Sequence, residues 1–178
     1  AHGEVSLDRL GPIDFIAFSS HKLCGPTGVG VLWGREELLE KMPPYQFGGN
    51  MISHVGDLDS EWNELPHKFE AGTPDVAGVI GFGAAIDYLE TLGLVRIEEY
   101  EKKLSEYVLS ELKKIDGIRL IGPLDPHHRA PIFSVAVDGV HAHDLATFFD
   151  MRGISVRAGH HCCHPLMAKL ELPATCRA

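Results

Sequence analysis

The apolar and polar positions fall into short runs whose period changes along the chain. Ile13-Asp14-Phe15-Ile16-Ala17-Phe18-Ser19 is apolar almost throughout and closes on a polar residue. That is the pattern of a buried strand. Ser20-His21-Lys22 follows, then the glycine-rich turn Gly25-Pro26-Thr27-Gly28. A second strand is expected over 29–33 and a short helix over 35–41, stopped by Pro43-Pro44. Residues 46–59 carry Gly48, Gly49 and Gly56 and little periodicity, and read as a long loop or irregular hairpin. A loop of that length in a compact domain is more often functional than ornamental.

Thr73-Pro74-Asp75 supplies cap residues for a helix running to about 92. Gly78, Gly81 and Gly83 lie along it and cost helix stability, so close packing is expected to offset them. Gly93 ends it. A second helix is expected over 94–114, where Ile97, Tyr100, Leu104, Tyr107, Val108 and Leu112 keep a helical period. The texture then changes. Strands are expected over 118–121 and 132–137, a helix over 143–152, and a strand over 154–157 that runs into Ala158-Gly159-His160-His161-Cys162. An α/β segment over 1–95 and a small α+β unit over 96–178 follow from this order, joined within the 94–114 helix.

Composition narrows the function. The 178 residues are 44 % hydrophobic, enough for a real core. A net charge of −9 disfavours nucleic acid as a partner. No apolar run is long enough to span a membrane. Ala1-His2-Gly3-Glu4 shows no secretory signal and no initiator methionine, so the expectation is a chain that starts inside a longer protein. Cys24, Cys162, Cys163 and Cys176 do not have the spacing of a disulfide framework and suit a reducing compartment, taken as the cytoplasm. Cys24 and Cys176 are expected to be packing residues.

Two segments carry candidate chemistry. Lys22 directly follows an apolar strand, and strand ends in α/β sheets are where ligands bind. A lysine partly desolvated there has its pKa lowered and its neutral amine can bond to an aldehyde cofactor. Ser19, Ser20 and His21 offer donors for a phosphate alongside. The plainer alternative is a lysine that caps a strand and reaches solvent. A nucleotide-binding P-loop does not fit, because the lysine precedes the glycines.

The second segment places Cys162 five residues after Arg157 and beside His160, His161 and His164. Nearby positive charge favours a thiolate, and a loop thiol suits nucleophilic attack. Arg177 lies beyond Pro173, and two guanidinium forks suggest carboxylate recognition. Structural zinc is the competing reading, weakened because adjacent side chains diverge and no second ligand pair completes a tetrahedron. Inert buried cysteines are the bland alternative. No metal is expected.

Taken together, Ser19-Ser20-His21-Lys22, Gly25-Pro26-Thr27-Gly28-Val29-Gly30, Phe69-Glu70-Ala71-Gly72-Thr73-Pro74, Arg157-Ala158-Gly159-His160-His161-Cys162 and Cys176-Arg177-Ala178 resemble the group II cysteine desulfurases of the Suf iron–sulfur assembly system. These are also described as selenocysteine lyases, within the class V aminotransferase group. The resemblance implies the fold type I of pyridoxal-phosphate enzymes: part of a large α/β domain, then an incomplete small α+β domain. It implies pyridoxal 5'-phosphate as cofactor and L-cysteine or L-selenocysteine as substrate. Lys22 is then the lysine that bonds to the cofactor. Ser19 and His21 bind its phosphate, and Thr73 reaches the phosphate of the neighbouring subunit in a homodimer. Cys162 is the persulfide-forming nucleophile, Arg177 binds the substrate carboxylate and Arg157 assists it. A small sulfur-acceptor protein is the expected partner. Cys163 departs from the family pattern, which has no thiol there. The family's first half, which holds the cofactor ring, has no counterpart in this chain. A non-catalytic relative, which intact Lys22, Cys162 and Arg177 argue against, and a kynureninase-like or aminotransferase-like enzyme, which Cys162 discriminates, are the other readings.

Overall fold

The computed structural model describes residues 5–6 and 11–178. Residues 1–4, read above for a signal, lie outside them. The chain divides into two compact units, Ala1–Ile97 and Glu98–Ala178.

In the first unit, β1 (Phe15–Ser19) pairs antiparallel with β2 (Gly30–Gly34), from Phe15 opposite Gly34 to Ser19 opposite Gly30. A one-turn 3-10 helix, Ser20–Leu23, leads from β1 into the glycine turn. Helix α1 (Glu36–Lys41) follows β2, and Lys68 ties its end by donating from Nζ to the Glu40 carbonyl at 2.7 Å. The expected loop or hairpin is a hairpin, β3 (Ile52–Val55) against β4 (Ser60–Trp62), with a bulge between Ile52 and His54. Phe47 stacks on Trp62, ring centroids 5.1 Å apart. One expectation is overturned. The apolar run over 13–19 predicts a buried strand, yet Phe15 and Phe18 are 40 % and 39 % exposed. An unbroken apolar run signals burial on both faces, but within this chain β1 belongs to a two-stranded sheet with β2 as its partner.

Helix α2 (Val76–Leu92) is capped by Asp75, whose Oδ1 accepts the Gly78 N–H at 2.9 Å. Its glycines divide by function. A Cβ on Gly78 would lie 2.6 Å from Val29 Cγ2, and one on Gly81 3.4 Å from Pro26 Cγ, so both admit the turn after Lys22. Gly83 faces nothing within 4 Å among the described residues, so the packing expected there is not seen. Phe82 meets Phe18 edge-on and touches the space a Gly25 side chain would fill, at 3.0 Å. Helix α2 is therefore the bed on which the Lys22 turn rests.

Helix α3 (Leu94–Leu112) leads into the second unit, where Leu109 is 2 % exposed. The sheet there has four strands: β5 (Ile118–Ile121), β6 (Ser134–Val137), β7 (Arg157–Gly159) and β8 (Thr175–Arg177), in the order β5-β6-β8-β7. All neighbours are antiparallel. Helix α4 (Ala142–Asp150) connects β6 to β7, and the short α5 (His164–Lys169) lies between β7 and β8. The last strand is thus inserted between two earlier ones, and its Thr175 and Cys176 are among the most buried residues. The strand expected over 154–157 instead begins at Arg157. Ile154 is taken up by the end of α4, its N–H donating to the Phe149 carbonyl at 3.0 Å. Among the described residues no single helix is long and apolar enough to cross a membrane.

Candidate functional site

Each unit carries one group of the candidate residues. In the first, the 3-10 helix bearing Lys22 is fixed at both ends. The buried Ser20 donates its hydroxyl to the Pro26 carbonyl and its N–H to the Val29 carbonyl at 3.1 Å. The Gly25 N–H returns to the Ser20 carbonyl at 3.0 Å, over a left-handed Cys24 at φ 62°. Beside the pinned Ser20, Ser19 is half-buried. Ser19 makes no capping hydrogen bond, so its hydroxyl is not consumed by the helix it precedes. His21 and Lys22 are exposed, against the expectation of a partly desolvated lysine. The strand end that was to shield Lys22 lies on a ribbon of two strands. Cys24, expected to pack, is exposed because it turns the chain out of the 3-10 helix.

Thr73 is exposed, just ahead of α2. Its neighbour Gly72, at φ 70°, is gripped from both sides: its N–H donates to the Gly49 carbonyl at 2.8 Å and its carbonyl accepts from Asn50 Nδ2 at 3.2 Å. Asp75, two residues on, lies 3.7 Å from where a Gly28 side chain would begin. The start of α2, which follows Thr73, thus meets the turn that follows Lys22.

In the second unit, Arg157 on β7 stands directly opposite Arg177 on β8. Partners across an antiparallel pair share a face, with Cβ atoms about 4.5–5.5 Å apart. Like charges so placed repel, so the pair has the character of an anion site. Cys162 lies on the connection that follows β7. His161 and Cys162 both adopt left-handed φ, 53° and 60°, in a turn closed by the Cys163 N–H on the His160 carbonyl at 3.0 Å. Cysteine enters that region at a cost, so the turn at Cys162 is held by its surroundings. The hold is visible. His161 Nε2 lies 3.0 Å from Thr175 Oγ1 and 3.1 Å from the Thr175 carbonyl. Cys162 is exposed at the tip of the turn. His160 and His164 stack at 4.1 Å.

The electrostatics agree with a cationic patch. Burial is the main cause that lowers the His161 pKa, and Arg177, Arg157 and His160 lower it further against the Thr175 hydrogen bond, which raises it. Among the described residues its buried Nδ1 has no partner. Burial also pushes the Cys176 thiol up, as suits a packing cysteine. Among the described residues no group of three His, Cys, Asp or Glu side chains converges to hold a metal ion. Sequence reasoning missed Thr175, which anchors the cysteine turn. A three-residue strand leaves no period to read, and the only available signal was a polar residue between Ala174 and Cys176.

The aminotransferase class-V family model matches residues 1–178. The chain belongs to the aminotransferase class-V family. Pyridoxal 5'-phosphate is the cofactor of this family. A probable cysteine desulfurase from Halalkalibacterium halodurans is 51 % identical over 177 residues, 99 % of this chain and 43 % of that protein. One from Streptomyces coelicolor is 48 % identical over 165 residues, covering 93 % and 40 %. The chain therefore spans about two fifths of the length of the curated relatives it matches. The apo cysteine desulfurase of Thermococcus onnurineus NA1 superposes with a TM-score of 0.94 at 42 % identity, covering 99 % of this chain and 44 % of that one. The S-sulfonic acid form of the cysteine desulfurase CsdA from Escherichia coli gives 0.85 at 40 % identity, covering 93 % and 41 %. The family's fold is thus the α/β fold type I of pyridoxal-phosphate enzymes, and this chain holds a portion of it.

Proposed function

We propose that the protein carrying this chain is a pyridoxal-phosphate-dependent cysteine desulfurase of group II, which converts L-cysteine to L-alanine and leaves a persulfide on Cys162. The observation that carries this reading is an exposed thiol at the tip of a left-handed turn, on the connection leading away from a cross-strand arginine pair. Few chemistries call for a nucleophilic sulfur beside a carboxylate fork.

The residues of the first unit fit the cofactor. A hydroxyl, an imidazole and an amine within four consecutive positions, around the buried Ser20, suit a phosphate and an aldehyde. Ser19 and His21 would bind the phosphate and Lys22 the aldehyde carbon. Thr73, exposed beside the gripped Gly72, supports a contact to the phosphate of a second subunit in a homodimer. When bound, the cofactor supplies an electron sink at the substrate α-carbon.

The chain's own residues do the rest. Arg177, assisted by Arg157, holds the substrate carboxylate. The Lys22 amine, once released from the cofactor, takes the α-proton. The Cys162 thiolate attacks the substrate sulfur, the carbon–sulfur bond breaks with its electrons left on carbon, and a sulfur–sulfur bond forms. One cysteine and one thiol become one alanine and one persulfide, without an external oxidant. L-Selenocysteine fits the same groups, since the fork reads the carboxylate and not the chalcogen. A small acceptor protein would remove the sulfur from the exposed tip. Free cysteines at all four positions support a reducing compartment, the cytoplasm. The test is alanine release from the cofactor-loaded protein supplied with L-cysteine, with mass spectrometry of peptide 158–169. Alanine together with one extra sulfur on Cys162 is expected. Alanine without sulfur on that peptide would refute the assignment of the nucleophile.

A further inference from the structure

Cys163 has no part in the reaction above, and its placement gives it one. Its Sγ donates to the His160 carbonyl at 2.8 Å, the same oxygen that accepts its backbone N–H. The thiol is therefore turned back onto the turn whose tip carries Cys162. The two sulfurs differ in exposure: Cys162 is exposed and Cys163 half-buried. We propose that Cys163 is a second sulfur carrier, taking the outer sulfur from a Cys162 persulfide and sheltering it before release. This rests on the desulfurase reading.

The step balances. The Cys163 sulfur attacks the outer sulfur of the Cys162 persulfide, and a new sulfur–sulfur bond forms at Cys163. The bond between the outer sulfur and Cys162 breaks, and Cys162 departs as the thiolate. The proton held against the His160 carbonyl ends on Cys162. One persulfide and one thiol give one thiol and one persulfide, with no net oxidation. Geometry favours this over the other outcome of a vicinal pair. Attack on the inner sulfur would close a Cys162–Cys163 disulfide and expel sulfide. Neighbouring Cα atoms sit about 3.8 Å apart, whereas disulfides usually span about 4.4–6.8 Å, so that ring is strained. The persulfide lengthens the Cys162 arm by about 2 Å, one S–S bond, which offsets the divergence of adjacent side chains and lets its outer sulfur be reached without closing that ring.

The test uses the cofactor-loaded protein, given L-cysteine, quenched with an alkylating agent at successive times and digested with trypsin. Fragment ions of peptide 158–169 that separate positions 162 and 163 locate the extra sulfur. The expected result is a label first at Cys162 and then at Cys163, with none at Cys163 in Cys162→Ser. Sulfur bound to Cys163→Ala should be lost to added reductant several-fold faster than from the unaltered protein. A label confined to Cys162 at every time overturns the relay and leaves the desulfurase reading intact. A label on Cys163 in Cys162→Ser overturns it as well, because sulfur would then arrive without the first carrier. No label at either position, with no alanine formed, removes the desulfurase reading and the relay with it.

Discussion

Replacing Arg177 with lysine keeps a positive charge on β8 and removes the fork. A guanidinium can hold a carboxylate by two parallel N–H bonds, while an ammonium makes a point contact. Losing one charge-assisted hydrogen bond costs about 1.5–3 kcal/mol. At about 1.4 kcal/mol per tenfold, that raises KM for L-cysteine by about 10–150-fold. The register places Arg157 directly opposite, so a second fork remains and the lower end, near tenfold, is expected. The empty pair gathers like charge on one face of the sheet, which is unfavourable and screened by salt. Binding of the carboxylate relieves that repulsion, so Arg177→Ala combined with Arg157→Ala should abolish saturation in the accessible range. The assay is the initial rate of alanine release against L-cysteine concentration. A KM within about threefold of the unaltered protein, with kcat alone reduced, would refute a carboxylate site at this cross-strand pair.

Three further outcomes are expected. Gly78→Ala should destabilise the protein: the new Cβ meets Val29 Cγ2 at 2.6 Å and crowds the Asp75 cap, so overpacking of about 1–3 kcal/mol outweighs a helix-propensity gain of about 1 kcal/mol. Its urea midpoint and its affinity for pyridoxal phosphate should both fall, because the Lys22 turn is seated there. Thr175→Val removes one of the two bonds on His161 Nε2 and should cost about 0.5–1.5 kcal/mol, read in the same titration, with slower persulfide formation on Cys162. The third concerns pH. His161 has a folded-state pKa below its ordinary value, chiefly through burial. The unfolded chain therefore binds the proton first, so the contribution is present above about pH 6.5 and is lost as pH falls through the folded value. Unfolding midpoints should drop over that range and drop less in His161→Gln. Asp125, held low by the His127 backbone N–H, and Glu111, held low by Lys114, act only at more acid pH.

The elements with a clean period were legible before the structure. Ile118–Ile121 alternates, and helix α3 keeps its apolar stripe from Ile97 to Leu112. What escaped was short or long-range. Thr175–Arg177 is a strand only because β6 and β7 flank it, and α5 is a single turn and a half begun by His164-Pro165. The site divides the same way. The motif picked out Lys22, Cys162, Arg157 and Arg177 as residue types, but the pairing of the two arginines could not be read without β8. Nor could the anchoring of His161 on Thr175. Exposure was misjudged at Phe15, Phe18 and Lys22 for one reason: an apolar strand announces that it will be covered, not which chain segment covers it.

The central claim is that sulfur passes through the thiol at position 162. The most direct measurement is the rate of alanine formation from L-cysteine by the reduced, cofactor-loaded Cys162→Ser protein. A fall of about a hundredfold or more, with cofactor still bound, is predicted. A rate within a few-fold of the unaltered protein would contradict the account.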